Sequence, residues 1–517
     1  MRIHLASMAG CAALALALSC GKDQPAPARA EAALAAAPTA FHRAPLAPGN
    51  VGVTVAKYMM KRWPHLELED AACTDCFSLN YPTTVAGAMP TPAPKYWEYT
   101  NGVPLFAIQK LYERTGNAAY FDYVKQFVDH FVAADGTINY GTPPTQAAKR
   151  NDPTIQDTMQ PATLLFQVYQ ATGDPKYLAA MRNARAVFDT IRQSSAGAFW
   201  HKPNYARQQW LDAIYMSEPF LTRYGALYAD EAAPGDSETC FEMATTQIKL
   251  LDAAAFNPRK RLHYHGWNGD EAHDWTLNIT TPDGKQLGCG LCAVGKLPPL
   301  PGTRVSPILW SRSIAWYLAG IVDVLEYLPR DHADRGKLAH IVRNIAEGLR
   351  TYQDPATGLW FQVIDAMDGP APAEGGYPGE GVQAQPNWRE TSASAIFVYS
   401  LAKAARLGLI GPEYLHVAKK GWAGVKTKVV IAGSEVTVKD TVVGMSLGGT
   451  WNAYTNASPA SDVALGIPTA SADAGCAGSP AGGTYRSPAV NCRYVYLRDN
   501  VPQGFAAVML AASEMEF

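Results

Sequence analysis

The sequence predicts an all-α protein built as an (α/α)6 barrel, a toroid of six helical hairpins carrying small β-hairpin insertions. Three observations predict it. Leu111-Tyr112-Glu113-Arg114-Thr115-Gly116-Asn117-Ala118-Ala119-Tyr120 is echoed by Val168-Tyr169-Gln170-Ala171-Thr172-Gly173-Asp174-Pro175-Lys176-Tyr177, with the two Thr-Gly turns 57 residues apart. In each copy Gly ends one helical stretch and Asn or Asp caps the next, so the repeated unit is a helical hairpin. Apolar residues then recur at helical spacing in twelve segments, which is the number that closes six hairpins around an axis. Finally, 517 residues exceed what one ordinary core holds, and a closed ring accommodates them in a single domain.

In chain order the helices are expected at 50–63, 97–115, 118–134, 158–172, 175–193, 209–230, 237–254, 307–328, 333–353, 391–406, 412–426 and 503–516. The last completes the hairpin opened by the first. Ser306-Pro307 reads as a cap followed by Pro at the first helical position. Between helices, alternating Thr276-Leu277-Asn278-Ile279-Thr280 with a Pro282-Asp283-Gly284 turn predicts a β-hairpin within 268–306. Gly- and Pro-rich 366–389 reads as a rim loop, and Val429-Val430-Ile431 with Val436-Thr437-Val438 around Gly433-Ser434 as a second hairpin. Long loops of a toroid gather at one end, where a site is built.

The N-terminus reads as an export signal. Met1-Arg2 precedes an apolar stretch from Met8 to Leu18 that is too short to span a bilayer and ends at Ser19-Cys20-Gly21. Residues 1–20 are therefore expected to be a lipoprotein-type signal with Cys20 lipidated, placing the protein in the periplasm or at the outer membrane of a bacterium. Cleavage near Ala28-Arg29-Ala30 is the alternative. The Pro/Ala-rich 21–48 reads as a tether and 49–517 as the catalytic domain. Beyond Cys20, Cys73, Cys76, Cys240, Cys289, Cys292, Cys476 and Cys492 suit three disulfides and a free thiol. The pairs Cys73/Cys76 and Cys289/Cys292 form a four-thiolate zinc site in the alternative reading. Either role is structural. A net charge of −2 without a basic face excludes nucleic acid as partner.

Chemistry concentrates in Phe199-Trp200-His201-Lys202-Pro203-Asn204-Tyr205-Ala206-Arg207-Gln208-Gln209-Trp210-Leu211-Asp212-Ala213-Ile214-Tyr215-Met216, which holds five aromatics, a His, a Lys, an Arg and one acid. Sugar rings offer C–H faces and hydroxyl edges together, and such a mixture of flat rings and polar groups suits them. Trp210 and Tyr215 are expected to desolvate Asp212 and raise its pKa toward proton donation. The plain alternative is an aromatic-rich helix start with Asp212 favoured by the helix dipole.

Asp157 lies 55 residues before Asp212, close to the hairpin repeat, so both carboxylates are expected at one end of the ring. Paired carboxylates split glycosidic linkages. Asp157 with Gln160 three residues on is equally a helix cap. His201 falls in the loop entering the Asp212 helix, and His265, in Leu262-His263-Tyr264-His265-Gly266-Trp267, follows the next helix. Arg312 and Trp316 are four apart on one helical face, a guanidinium beside an indole that suits a sugar acid or, alternatively, helix packing.

These residues carry a resemblance. Phe199-Trp200-His201-Lys202 and Gln209-Trp210-Leu211-Asp212-Ala213-Ile214-Tyr215-Met216-Ser217-Glu218-Pro219-Phe220 resemble the signature of family 105 glycoside hydrolases, the unsaturated rhamnogalacturonyl hydrolases related to the unsaturated glucuronyl hydrolases of family 88. The similarity runs from Trp97-Glu98-Tyr99-Thr100-Asn101-Gly102 through Asn387-Trp388-Arg389-Glu390-Thr391-Ser392-Ala393-Ser394 to Gly504-Phe505-Ala506-Ala507. It implies an (α/α)6 barrel and a reaction without metal or cofactor on oligosaccharides made by polysaccharide lyases, whose terminal uronic acid carries a C4=C5 double bond. It also implies that Asp212 is the general acid and Asp157 the second carboxylate. His201, His265, Arg312, Trp316, Tyr99 and Trp210 are then expected to line the substrate site.

The chain departs from that pattern at Ala213, where the family usually has Gly, at the Gln156-Asp157 doublet, and in the spacing Arg312-Ser313-Ile314-Ala315-Trp316. Two other readings stand beside the hydration of an unsaturated uronide. One is a conventional acid/base glycosidase using Asp157 and Asp212; the other is a surface lipoprotein that binds oligosaccharide without turning it over.

Overall fold

The computed structural model describes residues 49–64, 97–140, 152–202, 207–270, 279–280, 286–287, 304–306, 309–365, 388–442, 497–498 and 500–517. Its helices alternate between two shells. The outer shell comprises α1 (Val51–Arg62), α3 (Ala118–Phe131), α5 (Pro175–Phe188), α9 (Asp236–Ala255), α11 (Arg335–Tyr352) and α13 (Glu413–Thr427). The inner shell comprises α2 (Tyr99–Thr115), a 3-10 stretch Gln160–Leu164 running into α4 (Leu165–Thr172), the broken pair α6 (Leu211–Met216) and α7 (Glu218–Leu227), α10 (Ser311–Tyr327), α12 (Thr391–Arg406) and α14 (Pro502–Met515). A short α8 (Ala229–Ala232) links α7 to α9.

Each inner element packs on the next, and α14 packs on both α2 and α1, so the last helix closes the ring beside the first. Side-chain patterns explain the two shells. In α11 the buried apolar residues Leu338, Ile341, Val342, Ile345 and Leu349 form one stripe, as an outer helix requires. In α10 and α14 nearly every residue is buried, as in a helix enclosed on all sides.

The repeated turn is built as its residues dictate. Gly116 and Gly173 both adopt φ +67°, the left-handed conformation that ends a helix cheaply only for Gly. The side chains of Asn117 and Asp174 then accept the backbone N–H groups of Ala119 and Lys176 at the start of the next helix.

All twelve expected segments are helical; the one expected at 175–193 ends at Phe188, with Gln193 already in a β-bridge to Phe199, and three others differ locally. The segment expected at 209–230 breaks at Ser217, because Pro219 has no N–H to give and its ring would meet the Tyr215 carbonyl one turn back. The segment expected at 158–172 begins as 3-10 helix before becoming α4. The helix expected from Pro307 begins at Ser311 with Trp310 as its cap residue, since Trp310 first pairs in a β-bridge with Val363.

Five two-stranded antiparallel ladders decorate the described part of the barrel. One pairs β1 (Gln208–Trp210) with β4 (Gly266–Asn268); another, between α9 and β4, pairs β2 (Phe256–Asn257) with β3 (Leu262–His263). The two expected hairpins are β5 (Ile279–Thr280) with β6 (Gln286–Leu287), and β7 (Val429–Ala432) with β8 (Glu435–Val438). The last ladder joins β9 (Thr441–Val442) to β10 (Leu497–Arg498). The expected signal and tether at 1–48, most of the expected rim loop, and every cysteine except Cys240 lie outside the described residues; Cys240 is buried and free. No helix among the described residues is long and apolar enough to cross a membrane.

Candidate active site

The site grows out of the β1–β4 ladder. Its register pairs Trp210 with Gly266, and the Leu211 N–H donates to the His265 carbonyl at 2.9 Å. Asp212, in the first turn of α6, is thereby set opposite His265, with Nε2 of the imidazole 3.0 Å from Oδ2 of the carboxylate. The His265 side chain is 1% exposed and that of Asp212 14%, so the acid is the member of the pair that a ligand can reach.

His201 enters from the other side of the ladder. Its N–H donates to the Gln208 carbonyl at 2.7 Å, and its own carbonyl accepts the Gln156 N–H at 3.2 Å. That second bond brings in the 3-10 turn Gln156–Thr158 and with it Asp157. Asp157 lies 3.7 Å from His201 Nε2 and is ion-paired with Lys202 Nζ at 2.5 Å. The reading of Asp157 as a helix cap fails: no side chain caps the 3-10 segments or α4, and its carboxylate is turned to Lys202.

Flat groups connect the two acids. His201 stacks on Trp210 with centroids 4.5 Å apart and planes 24° apart. The other contacts run Trp210 to His265 at 5.6 Å, His265 to Trp310 at 4.7 Å, and Trp310 to the Arg312 guanidinium at 5.1 Å. Arg312 also donates to the Val442 carbonyl and reaches Ser392 Oγ at 3.4 Å. The indole beside Arg312 is therefore Trp310 and not the expected Trp316. Trp316, one turn on, is buried and stacked on Tyr215 at 4.7 Å. Tyr99, the first residue of α2, lies within electrostatic reach of Asp157, Lys202 and Arg312, and so closes the arc.

Charges and burial set the protonation states. Burial pushes the Tyr99 hydroxyl up to about 12, reinforced by Asp157, so it is a neutral hydrogen-bonding group. Burial lowers the His201 imidazole to about 4 in spite of Asp157, leaving it neutral above that pH. Asp212 runs against the sequence expectation. Burial does push its carboxyl up, but His265 facing it, with His201 and Arg312, holds it below the usual carboxylate range. Tyr215, expected to help desolvate it, stacks on Trp316 with centroids 4.7 Å apart.

Of the expected residues, Asp212, His265, Trp210, His201, Asp157 and Arg312 form one contiguous arc, with Tyr99 facing it and Trp316 behind Tyr215. Lys202, Trp310 and Gln156 are not among the site residues expected from sequence, Gln156 being noted there only as a departure from the family's doublet. The signal for two of them was present, because Lys202 adjoins His201 and Trp310 lies two residues before Arg312.

Comparison with known proteins gives the family and the fold. The family described as Glycosyl Hydrolase Family 88 matches residues 73–282 and 300–465. Protein Atu3128 of Agrobacterium fabrum is 37% identical over 118 residues, 23% of this chain and 43% of that protein, so the chain spans under half the length of this curated relative. Unsaturated rhamnogalacturonyl hydrolase YesR of Bacillus subtilis is 23% identical over 278 residues, 53% of this chain and 65% of that protein. Among solved structures, a family 105 glycoside hydrolase from C. acetobutylicum superposes with TM-score 0.61 at 23% identity, covering 90% of this chain and 99% of the other. The unsaturated glucuronyl hydrolase of Bacillus sp. GL1 superposes with TM-score 0.51 at 14% identity, covering 90% and 95%. These likenesses establish the six-hairpin fold, and the family match over most of the chain establishes that this protein belongs to glycosyl hydrolase family 88.

Proposed function

We propose that the protein hydrolyses oligosaccharides made by polysaccharide lyases, releasing the terminal Δ4,5-unsaturated uronic acid. The observation that carries this reading is a reachable carboxylate, Asp212, on one arc with the Arg312 guanidinium and the Trp210 and Trp310 rings. A uronide needs a cation for its carboxylate and a flat face for its ring. The double bond needs a proton donor beside C4.

Asp212 protonates C4, and the positive charge that develops at C5 is shared with the ring oxygen. Water adds at C5 and gives its proton back to Asp212. The hemiketal so formed opens, and the attached sugar leaves without direct attack at the anomeric carbon. Arg312 takes the substrate carboxylate. That pairing withdraws one cation from Asp212 and sets an anion near it, and both changes raise the Asp212 pKa when substrate binds. His265, donating through Nε2, stabilises the carboxylate once its proton has gone. Asp157 is engaged with Lys202, which suits it to hold substrate hydroxyls more than to act as a free base; this disfavours the conventional acid/base glycosidase. Residues 1–20 direct export in this reading, with a lipid on Cys20; metabolic labelling with palmitate of wild type and Cys20→Ser tests that part.

The experiment is incubation with unsaturated disaccharides from pectin, ulvan and glycosaminoglycan lyase digests. Loss of the conjugated-uronate absorbance with release of free sugar supports the reading. Binding without turnover across the panel sinks it.

A further inference from the structure

Next to the site is a buried acid that the reaction above does not use. Glu218, the first residue of α7, is fully buried and no salt bridge reaches it among the described residues. Its Oε2 lies 2.7 Å from Ser217 Oγ, and its Oε1 has no hydrogen-bond partner among those residues. Ser217 Oγ is also 2.8 Å from Gln156 Oε1 and 3.1 Å from the Ala213 carbonyl, which already accepts the Ser217 N–H. Gln156 Nε2 donates to the Trp200 carbonyl at 3.0 Å, and this fixes which end of the amide faces Ser217.

A serine hydroxyl has one proton to give. With Gln156 Oε1 and Glu218 Oε2 both in hydrogen-bond range of one hydroxyl, an ionised Glu218 leaves two oxygen lone pairs facing each other without a proton. A protonated Glu218 satisfies both contacts: its O–H donates to Ser217 Oγ, and the Ser217 hydroxyl donates to Gln156 Oε1. We propose that Glu218, as a neutral acid, is a positioning residue for the active site, acting through Ser217 and Gln156. Gln156 bonds both Trp200 and His201 through their carbonyls and is followed directly by Asp157, so the relay holds the Asp157 turn against His201 and Lys202. Burial, only partly offset by Ser217 and the residue's own N–H, pushes the Glu218 carboxyl up to about 8, which agrees with that state at neutral pH.

The positioning role rests on the proposed function; the protonation state does not. Infrared difference spectra of wild type against Glu218→Gln at neutral pH therefore come first and need no substrate. A protonated-carboxyl C=O band lost in the variant is expected, and a carboxylate band in its place overturns the inference. With an unsaturated disaccharide, Glu218→Gln, which keeps a neutral donor, should retain kcat/KM near the wild-type value. Ser217→Ala and Glu218→Leu, each confirmed folded by circular dichroism, should lose about tenfold, the loss of one buried hydrogen bond. Equal activity in all three variants, or an equal loss in Gln and Leu, overturns the positioning role. Wild type inactive on every disaccharide while the acid band is present overturns the proposed function and, with it, the relay's part in catalysis.

Discussion

Nε2 of His265 lies 3.0 Å from Oδ2 of Asp212, and the backbone that sets this distance is a three-residue β-ladder joining the strand before α6 to the strand after His265. The pair is held by main-chain register, so it is formed before any substrate arrives. Its electrostatic result is a carboxyl held below the usual carboxylate range.

Removing His265 tests that result. Because His265 is the largest influence lowering the Asp212 carboxyl, His265→Gln should raise its pKa and move the alkaline limb of kcat/KM to higher pH. The maximal rate should still fall by about 10²-fold, as the carboxylate formed on proton transfer loses its partner. A pH–rate profile that keeps its alkaline limb in place contradicts the assignment.

His201 gives a prediction about stability. Its folded pKa of about 4 lies below the ordinary value of 6.5, so the unfolded chain binds the extra proton between those pH values. Its neutral burial therefore contributes fully above pH 6.5, and the contribution is lost as pH falls toward 4, by up to about 3 kcal/mol. Denaturation of His201→Phe measured from pH 7 to 4 should show a shallower acid loss than wild type; parallel curves would count against it.

Gly320 gives another, because α10 passes so close to α6 that a β-carbon there would stand 2.7 Å from the Ile214 carbonyl oxygen and 2.9 Å from the Tyr215 nitrogen. Both contacts are backbone of the short helix that carries Asp212. Gly320→Ala should cost about 1–3 kcal/mol of stability by overpacking, and lower kcat more than it raises KM. Thermal melts and steady-state kinetics read the two effects, and a variant equal to wild type in both would show that the helices separate freely.

At the far side of α10, Lys403 is buried between Asp323 and Glu326, with both contacts at 2.7 Å. Lys403→Met leaves buried Asp323 with only the Tyr399 hydroxyl and Glu326 with only the more distant Arg406 at 3.8 Å, a loss of about 3–5 kcal/mol. Urea titration should register it as a lower midpoint, whereas a change within about 0.5 kcal/mol would mean the carboxylates find protons or water instead.

The barrel was legible because its signals are local. Helical periodicity, the Thr-Gly-Asn and Thr-Gly-Asp turns and the Gly433-Ser434 hairpin are each decided by residues near in sequence. What was missed depends on packing between distant segments. Nothing near Trp310 announces its bridge to Val363, which delays α10 to Ser311, and nothing near Asp212 announces that His265 will outweigh burial. Pro219 did carry the break between α6 and α7 in plain view. Glu218 reads as an ordinary first-turn acid until its burial and the single proton of Ser217 are set together.

The most direct test of the account is the fate of the C4=C5 chromophore with purified wild type and Asp212→Asn. Wild type should bleach the absorbance of an unsaturated uronyl disaccharide and leave the saturated analogue untouched, while Asp212→Asn, folded alike, should be slower by about 10³-fold or more. Cleavage of the saturated analogue by wild type, or undiminished bleaching by Asp212→Asn, would contradict it.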